Sequence, residues 1–359
     1  MEATTLASAP LICFHRNDRS LEAMWKYLLV CSMGIGLALF GSMLLAVAAK
    51  FADGNAGLSF KSLLDIAPDL HQGWLKMAFV FMLAGYGVKM GLAPFHTWLP
   101  DAHSEAPATV SALLSGALLN CAFLGMLRAR EVCVAAGIGD FCSPFLIALG
   151  LLSLLIAAAF IVGQTDYKRL LAYSSVEHIG IAALGIGIGG DALFGSLYHL
   201  LNHSLSKGML FMVAGGMLLR YGTRNIGEVR GALKAAPWTG FLWLAGLLAI
   251  TGTPPFGLFT SEFTILLVTL KGGHYFIATA YLALLAVAFA GISLAFLKMS
   301  FGEPSEAITR QSDEEAKIRS ESFWLLAPAA VLGCATLLLG VWLPEPLARL
   351  IDEAINTLG

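Results

Sequence analysis

An all-α polytopic membrane protein is the fold class this sequence predicts, with about nine full transmembrane helices plus one partial helix, broken helices and an inverted-repeat architecture. Three observations lead there. Of 359 residues, 57% are hydrophobic and only 13% charged, and the mean hydropathy is +0.76. Soluble domains carry about 25% charged residues, and a soluble core could not hide this much apolar surface. Nine apolar segments each have the length of a tilted span, and they are too long and too uniformly apolar for barrel strands. Two segments, 74–103 and 238–270, run into prolines beside an ionisable residue, an internal echo common in transporters built from inverted repeats.

The elements follow in order. Residues 2–13 are too short to span and have no basic flank of a signal peptide. They read as the second half of a helix whose first half is absent, giving a partial transmembrane helix over 1–13. The full segments are 24–49, 74–91, 109–128, 145–163, 170–188, 193–219, 238–270, 274–300 and 323–345. Segment 238–270 is too long for one span, and TGTPPFG at 251–257 falls in its middle; paired prolines break helical hydrogen bonding, so a broken helix is expected. Residues 24–300 form the expected core. Residues 301–322 mix both charges and read as a solvated cytoplasmic loop, helical in part, and 323–345 is the C-terminal transmembrane helix.

Basic residues set the orientation. Arg16, Arg19, Lys26, Lys168, Arg169, Arg220, Arg224, Arg230, Lys234, Arg310, Lys317 and Arg319 fall on one side, and Lys50, Lys61, Lys76, Arg128, Arg130, Lys271 and Arg349 on the other. The richer side is expected in the cytoplasm, with the C-terminus facing outward. The net charge of −2 argues against a nucleic-acid partner. The six cysteines form no CxxC pair and read as small buried hydrophobes, so no metal or redox centre is expected in this chain. GIGIGG at 185–190 is a loop or packing signal, since no phosphate-loop lysine follows it. With no nucleophile constellation or nucleotide loop either, the chain is not expected to be catalytic by itself.

The informative residues are the ionisable groups inside apolar segments, because a charge at mid-bilayer costs a few kcal/mol or more unless it has a partner or water. Glu2 lies about 11 residues from the cytoplasmic end of its segment, roughly 16 Å deep. Lys89 lies about 15 residues into 74–91, a span entered from outside, and Lys207 near the middle of 193–219. His199, His203 and Lys207 follow one another at intervals of four and so share a helix face. Glu262 follows the Pro254–Pro255 break. Titratable groups at such intervals, wetted by water, are what proton movement requires. Plainer roles stand beside this one. His199 hydrogen-bonds a carbonyl, Lys89 or Lys298 snorkels to the interface, and Glu262 caps the second half-helix. Asp101, His103 and Glu105 form a turn or cap at the membrane edge.

The stretch GVKMGLAPFHTWLPDAHSEAPATVSALLSG at 87–116 closely resembles the antiporter-like proton-translocating family, which includes the large membrane subunits of NADH–quinone oxidoreductase, the Mrp cation/proton antiporters and the membrane subunits of energy-conserving hydrogenases. QTDYKRLLAYSSVEHIG at 164–180, HLLNHSLSKGMLF at 199–211 and GTPPFGLFTSEF at 252–263 fit the same family, in family order. The SVEH tetrad and the opening EATTLASAPLICFHR look most like the hydrogenase-4 component F branch. The resemblance implies a proton relay of Glu2, Lys89, His203, Lys207 and Glu262, with Glu2 paired to Lys89. His96, His103, Asn120, His178 and His199 are accessory candidates. It also implies that the chain begins inside the family's fifth helix. Asn120 stands where the family often carries lysine; asparagine orders water but holds no charge, so water or a histidine must bridge Lys89 to Lys207. His96, Asp101, His103 and Glu105 are expected to form a wet cytoplasmic mouth.

The function so implied is a proton-translocating membrane subunit of a redox-driven complex of the hydrogenase-4 or NADH–quinone oxidoreductase type, in the plasma membrane. Iron–sulfur, nickel–iron or flavin centres are expected only in partner subunits, which are other membrane subunits and a peripheral redox arm. The alternatives are a stand-alone Mrp-like cation/proton antiporter module and a non-conducting scaffold that docks a soluble redox arm.

Overall fold

The computed structural model describes residues 1–52, 59–304 and 321–358. Among these, every regular element is helical. Most of the loop expected over 301–322 lies outside the described residues, together with Arg310, Lys317 and Arg319.

The chain opens with α1 (Glu2–Ile12) and turns into α2 (Asp18–Lys50). A capping box starts α2: Ser20 N donates to Asn17 Oδ1 at 2.7 Å and Asn17 N donates to Ser20 Oγ at 3.1 Å. At 33 residues α2 is about 50 Å long, more than the ~30 Å hydrocarbon core. There follow α3 (Phe60–Asp65), α4 (Gln72–Met90), a 3₁₀ turn (Phe95–Trp98), α5 (Leu99–Glu105) and α6 (Ala108–Leu113). A π-turn (Leu114–Leu118) leads into α7 (Leu119–Ala135). Then come α8 (Gly139–Ile161), α9 (Tyr167–Ile188), α10 (Ala192–Tyr221), α11 (Ala232–Ala235), α12 (Pro237–Ile250), α13 (Gly257–Lys271), α14 (Tyr275–Ser300), α15 (Phe323–Val341) and α16 (Glu345–Leu358).

All nine apolar segments are helical, yet seven helical runs among the described residues are long and apolar enough to cross a membrane. The two exceptions have physical causes. The 30-residue α10 carries buried His199, Asn202, His203 and Lys207 along its length. Segment 238–270 is split into α12 and α13, of 14 and 15 residues, each short of the bilayer core at 1.5 Å per residue.

Packing places α9 and α10 at the centre. α10 touches α6, α9, α12, α13 and α15, and α9 is almost wholly enclosed while α15 shows most of its surface. Small residues allow the closest approaches. A Cβ on Gly85 of α4 would fall 2.4 Å from Ala38 N and 2.5 Å from Gly34 O of α2, and Gly150 of α8 meets Gly180 of α9 in the same way. Helix pairs inside lipid gain chiefly from such backbone proximity. The helix α16 lies beyond the last expected element. It packs on α7 and α10, and its Leu358 carbonyl accepts from the buried Arg130 at 3.2 Å.

Candidate functional site

Two interrupted helices shape the interior. The first break ends α4 at Gly91, which takes the left-handed conformation (φ 77°) that favours glycine. Two of the backbone groups at this break are satisfied by side chains: Trp98 Nε1 donates to the Val88 carbonyl at 2.7 Å, and Ala93 N donates to Ser153 Oγ of α8 at 2.9 Å. Lys89, one residue before the helix ends, is fully buried rather than snorkelling. Its ammonium donates to Thr5 Oγ1 at 2.8 Å and to Tyr27 OH at 2.7 Å, and lies 4.5 Å from the Tyr27 ring centroid. Tyr27 OH also bonds Ser8 at 2.6 Å. Glu2 sits nearby but makes no ion pair with Lys89; Ser32 Oγ donates to Glu2 Oε1 at 2.8 Å. The expected Glu2–Lys89 pair is thus a pair through space, with Tyr27 and Thr5 holding the cation.

Of the four residues expected at a polar mouth, Asp101 and Glu105 lie in a network of ion pairs. Asp101 binds Lys26 at 2.5 Å and Arg169 at 2.7 Å, Glu105 binds Arg224 at 3.0 Å, and Asp166 lies 3.8 Å from Arg224. Asp101, Glu105, Asp166, Arg169 and Arg224 line a polar cavity of about 310 Å³ with Arg19 and Glu22. His96 and His103 do not line it. His103 is buried and stacks on Phe211 at 4.9 Å, and His96 is buried within 6.2 Å of the Tyr173 ring. The 3₁₀ turn buries His96 and α5 buries His103, while Asp101 and Glu105 on α5 reach the cavity. Lys168 is likewise buried there, donating to the carbonyls of Ser104 at 3.1 Å and Ala106 at 2.5 Å, and so ties the end of α5 to α9.

The second centre lies where α9 and α10 meet the α12–α13 break. Lys207 is fully buried; its ammonium donates to the Leu171 carbonyl at 2.7 Å and to Ser174 Oγ. One turn earlier on α10, His203 sits with its ring 5.2 Å from that of His178. Neither of its ring nitrogens has a partner within the protein, and the same holds for His103. Buried polar atoms of this kind are ordinarily satisfied by water. His178 Nδ1 is 3.0 Å from His199 Nε2, and His178 Nε2 is 3.1 Å from the carbonyl of Ile250, the last residue of α12. His199 Nδ1 bonds Ser261 Oγ at 2.9 Å, so side chains rather than a carbonyl hold this ring. Glu262 makes no cap bond. Its carboxylate folds back over the break and stands 4.0 Å from His178 Nδ1. The buried Lys207, His203, His178 and His199 and the partly buried Glu262 therefore lie in one row of groups able to hold a proton.

Asn120 bonds neither lysine. It donates to Ser204 Oγ at 2.6 Å and to the Leu200 carbonyl at 3.4 Å, joining α7 to α10 just after the π-turn. Lys298 is exposed near the end of α14, as snorkelling requires. The sequence reading passed over Glu177, Ser174, Tyr27 and Thr5. Glu177 is buried in the middle of α9, within electrostatic reach of Lys207 and Glu262. With Glu262 it lines a cavity of about 260 Å³. The signal was present: Ser174, Glu177 and His178 sit at i, i+3 and i+4 on one face, and an acid in mid-span carries the same warrant as Lys207.

Comparison with known proteins gives the frame for this geometry. Residues 1–290 match the family model described as NADH:quinone oxidoreductase/Mrp antiporter, TM. The chain belongs to this family. Among antiporter-like relatives, it is 38% identical over 307 residues to a hydrogenase-4 component F homolog of Methylacidiphilum infernorum, covering 85% of this chain and 64% of that protein. It is 33% identical over 367 residues to the NADH-quinone oxidoreductase subunit N of Desulforudis audaxviator, covering 99% of this chain and 71% of that one. The chain thus spans about two thirds of these antiporter-like proteins. A chain of respiratory complex I from Thermus thermophilus superposes with a TM-score of 0.82 at 26% identity, covering 100% of this chain and 74% of that one. A chain of an archaeal membrane-bound sulfane sulfur reductase superposes at 0.84 with 22% identity, covering 99% and 70%, a likeness of fold alone.

Proposed function

We propose that this chain is a proton-translocating membrane subunit of a redox-driven complex of the hydrogenase-4 or NADH–quinone oxidoreductase type. The observation that carries it is the row of Lys207, His203, His178 and His199, all buried among apolar helices, leading to the partly buried Glu262. A group of charges in so poor a solvent is justified by ion movement more readily than by stability. Lys89, held by Tyr27 and Thr5 with Glu2 nearby, is the second proton-holding centre. His103, which stacks on Phe211 of α10 within electrostatic reach of Lys207, extends the Lys207 row toward α5.

In this reading nine spans cross the plasma membrane, with α12 and α13 together making one. The two interrupted helices mark an inverted repeat, residues 24–300 are the translocating core, and 301–322 is a cytoplasmic loop. The basic network around Asp101 faces the cytoplasm. Arg130, at the far end of the α6–α7 run, holds the C-terminal helix outward. Redox centres reside in partner subunits of the membrane arm and a peripheral arm, and electron transfer there shifts the charge balance around Lys89.

Lys207→Ala tests the proposal. Proton yield per electron transferred, measured in membrane vesicles of the assembled complex, should collapse while the partners' redox turnover partly survives. Unchanged proton yield sinks the relay. Sodium-dependent rescue of an antiporter-deficient host by the chain alone would favour a cation/proton exchanger instead.

A further inference from the structure

The cluster at the second break has the construction of a metal site. His178 Nδ1, His199 Nε2 and a carboxylate oxygen of Glu262 all lie within 4.8 Å of one another, brought together from α9, α10 and α13. The outer nitrogens of both rings are already engaged. The Ile250 carbonyl can only accept, so His178 Nε2 carries the hydrogen and Nδ1 is bare. Ser261 Oγ donates to the Leu258 carbonyl at 2.8 Å, so it accepts from His199 Nδ1 and leaves Nε2 bare. Two lone pairs then face each other at 3.0 Å with a carboxylate beside them. Bare nitrogens that face one another repel unless a cation lies between them.

The supporting contacts are those of a ligand set. An oxygen acceptor on the far nitrogen fixes the tautomer of a ligating imidazole and raises its basicity. Zn–N bonds of about 2.0–2.1 Å in tetrahedral geometry place donor atoms about 3.4 Å apart. The separations here, 3.0 Å between the nitrogens and 4.0 Å from His178 to Glu262, bracket that spacing. The cavity of about 260 Å³ beside Glu262 and Glu177 supplies an entry path and room for a water at the fourth position. Two imidazoles and one carboxylate favour borderline ions such as Zn²⁺ or Co²⁺ over Mg²⁺ and Ca²⁺, which prefer all-oxygen shells.

We propose that His178, His199 and Glu262 form a binding site for a divalent transition ion of the zinc class, entered through the cavity beside Glu177. The site stands on its own geometry. Its consequence, that a bound ion arrests proton passage from His203 toward Glu262, rests on the proposed function.

The test uses the purified full chain with exposed His15, His71 and His274 changed to glutamine, loaded with zinc and examined by zinc K-edge absorption. The expected result is one tightly held zinc per chain with two imidazole ligands. His178→Gln and His199→Gln should each weaken zinc binding at least tenfold, and Glu262→Gln should weaken it as well. An oxygen-only shell, or full affinity retained in both histidine variants, overturns the site. If either variant fails to fold, the spectrum of the parent chain decides alone, and fewer than two imidazoles overturns it. Zinc held by two imidazoles with proton yield unaffected supports the site and counts against the relay.

Discussion

Gly252 offers a way to move Glu262 without touching it. The glycine lies in the second break at φ 58°, and a Cβ there would fall 2.1 Å from Glu262 Oε2. Ordinary contact begins near 3.4 Å, so Gly252→Ala forces the carboxylate to retreat by about 1.3 Å. The backbone also holds alanine in a left-handed conformation, at about 1–2 kcal/mol. The expected outcome has two separable parts. Stability, followed by denaturant unfolding in detergent, falls by about 1–2 kcal/mol in the wild-type and Glu262→Gln backgrounds alike, because that cost is in the backbone. Proton yield, followed in vesicles by a ΔpH dye normalised to electron transfer, falls to the level of Glu262→Gln. The double variant should be no worse than either single, since both disable one group. Wild-type yield in Gly252→Ala, or losses that multiply in the double variant, would refute the role given to the Glu262 position.

Other perturbations follow from the same geometry. Lys207→Met removes two bonds from a cation, worth about 1.5–3 kcal/mol each, but also removes a buried charge whose desolvation costs several kcal/mol. Thermal unfolding should show stability within about 2 kcal/mol of wild type while proton yield is lost; a large stability loss would make Lys207 structural. Tyr27→Phe deletes one of the two hydroxyls that hold Lys89 and should cost about 1.5–3 kcal/mol by denaturant unfolding, with lower proton yield. Thr5→Val should act on the same group, so the two losses should not add. Gly85→Val drives a side chain into the α2 backbone, where even a Cβ would stand 2.4 Å from Ala38 N. It should destabilise by about 3 kcal/mol and be seen as loss of a monodisperse peak in detergent size exclusion.

The parts of this fold that were legible are those that lipid dictates locally. Long apolar runs became helices because nothing else satisfies the backbone there. The breaks at Gly91–Pro94 and around Pro254–Pro255 were visible because proline lacks a donor. Lys89, Lys207 and Glu262 stood out as charges where charge is costly. What stayed hidden depends on neighbours remote in sequence. Tyr27 and Thr5 look like ordinary span residues until α1 and α2 bring them to Lys89. His199 meets His178 and Ser261 only because α9, α10 and α13 converge, and no spacing within one helix records that. Resemblance paired Glu2 with Lys89, but it could not show that two hydroxyls hold the lysine. Glu177 was legible and was passed over beside the more conspicuous His178.

The near-complete enclosure of α9 bears on how the protein is made. Lys168, Ser174, Ser175, Glu177 and His178 are all buried on one 22-residue helix, and such a segment is a poor solitary guest for lipid. It gains a hospitable surface only alongside α8, through the Gly150–Gly180 contact, or α10. The insertion machinery must therefore release α8 and α9 as a hairpin, or hold α9 until α10 emerges. Offered alone in a membrane-insertion assay, α9 should stay out; offered with α8, it should enter.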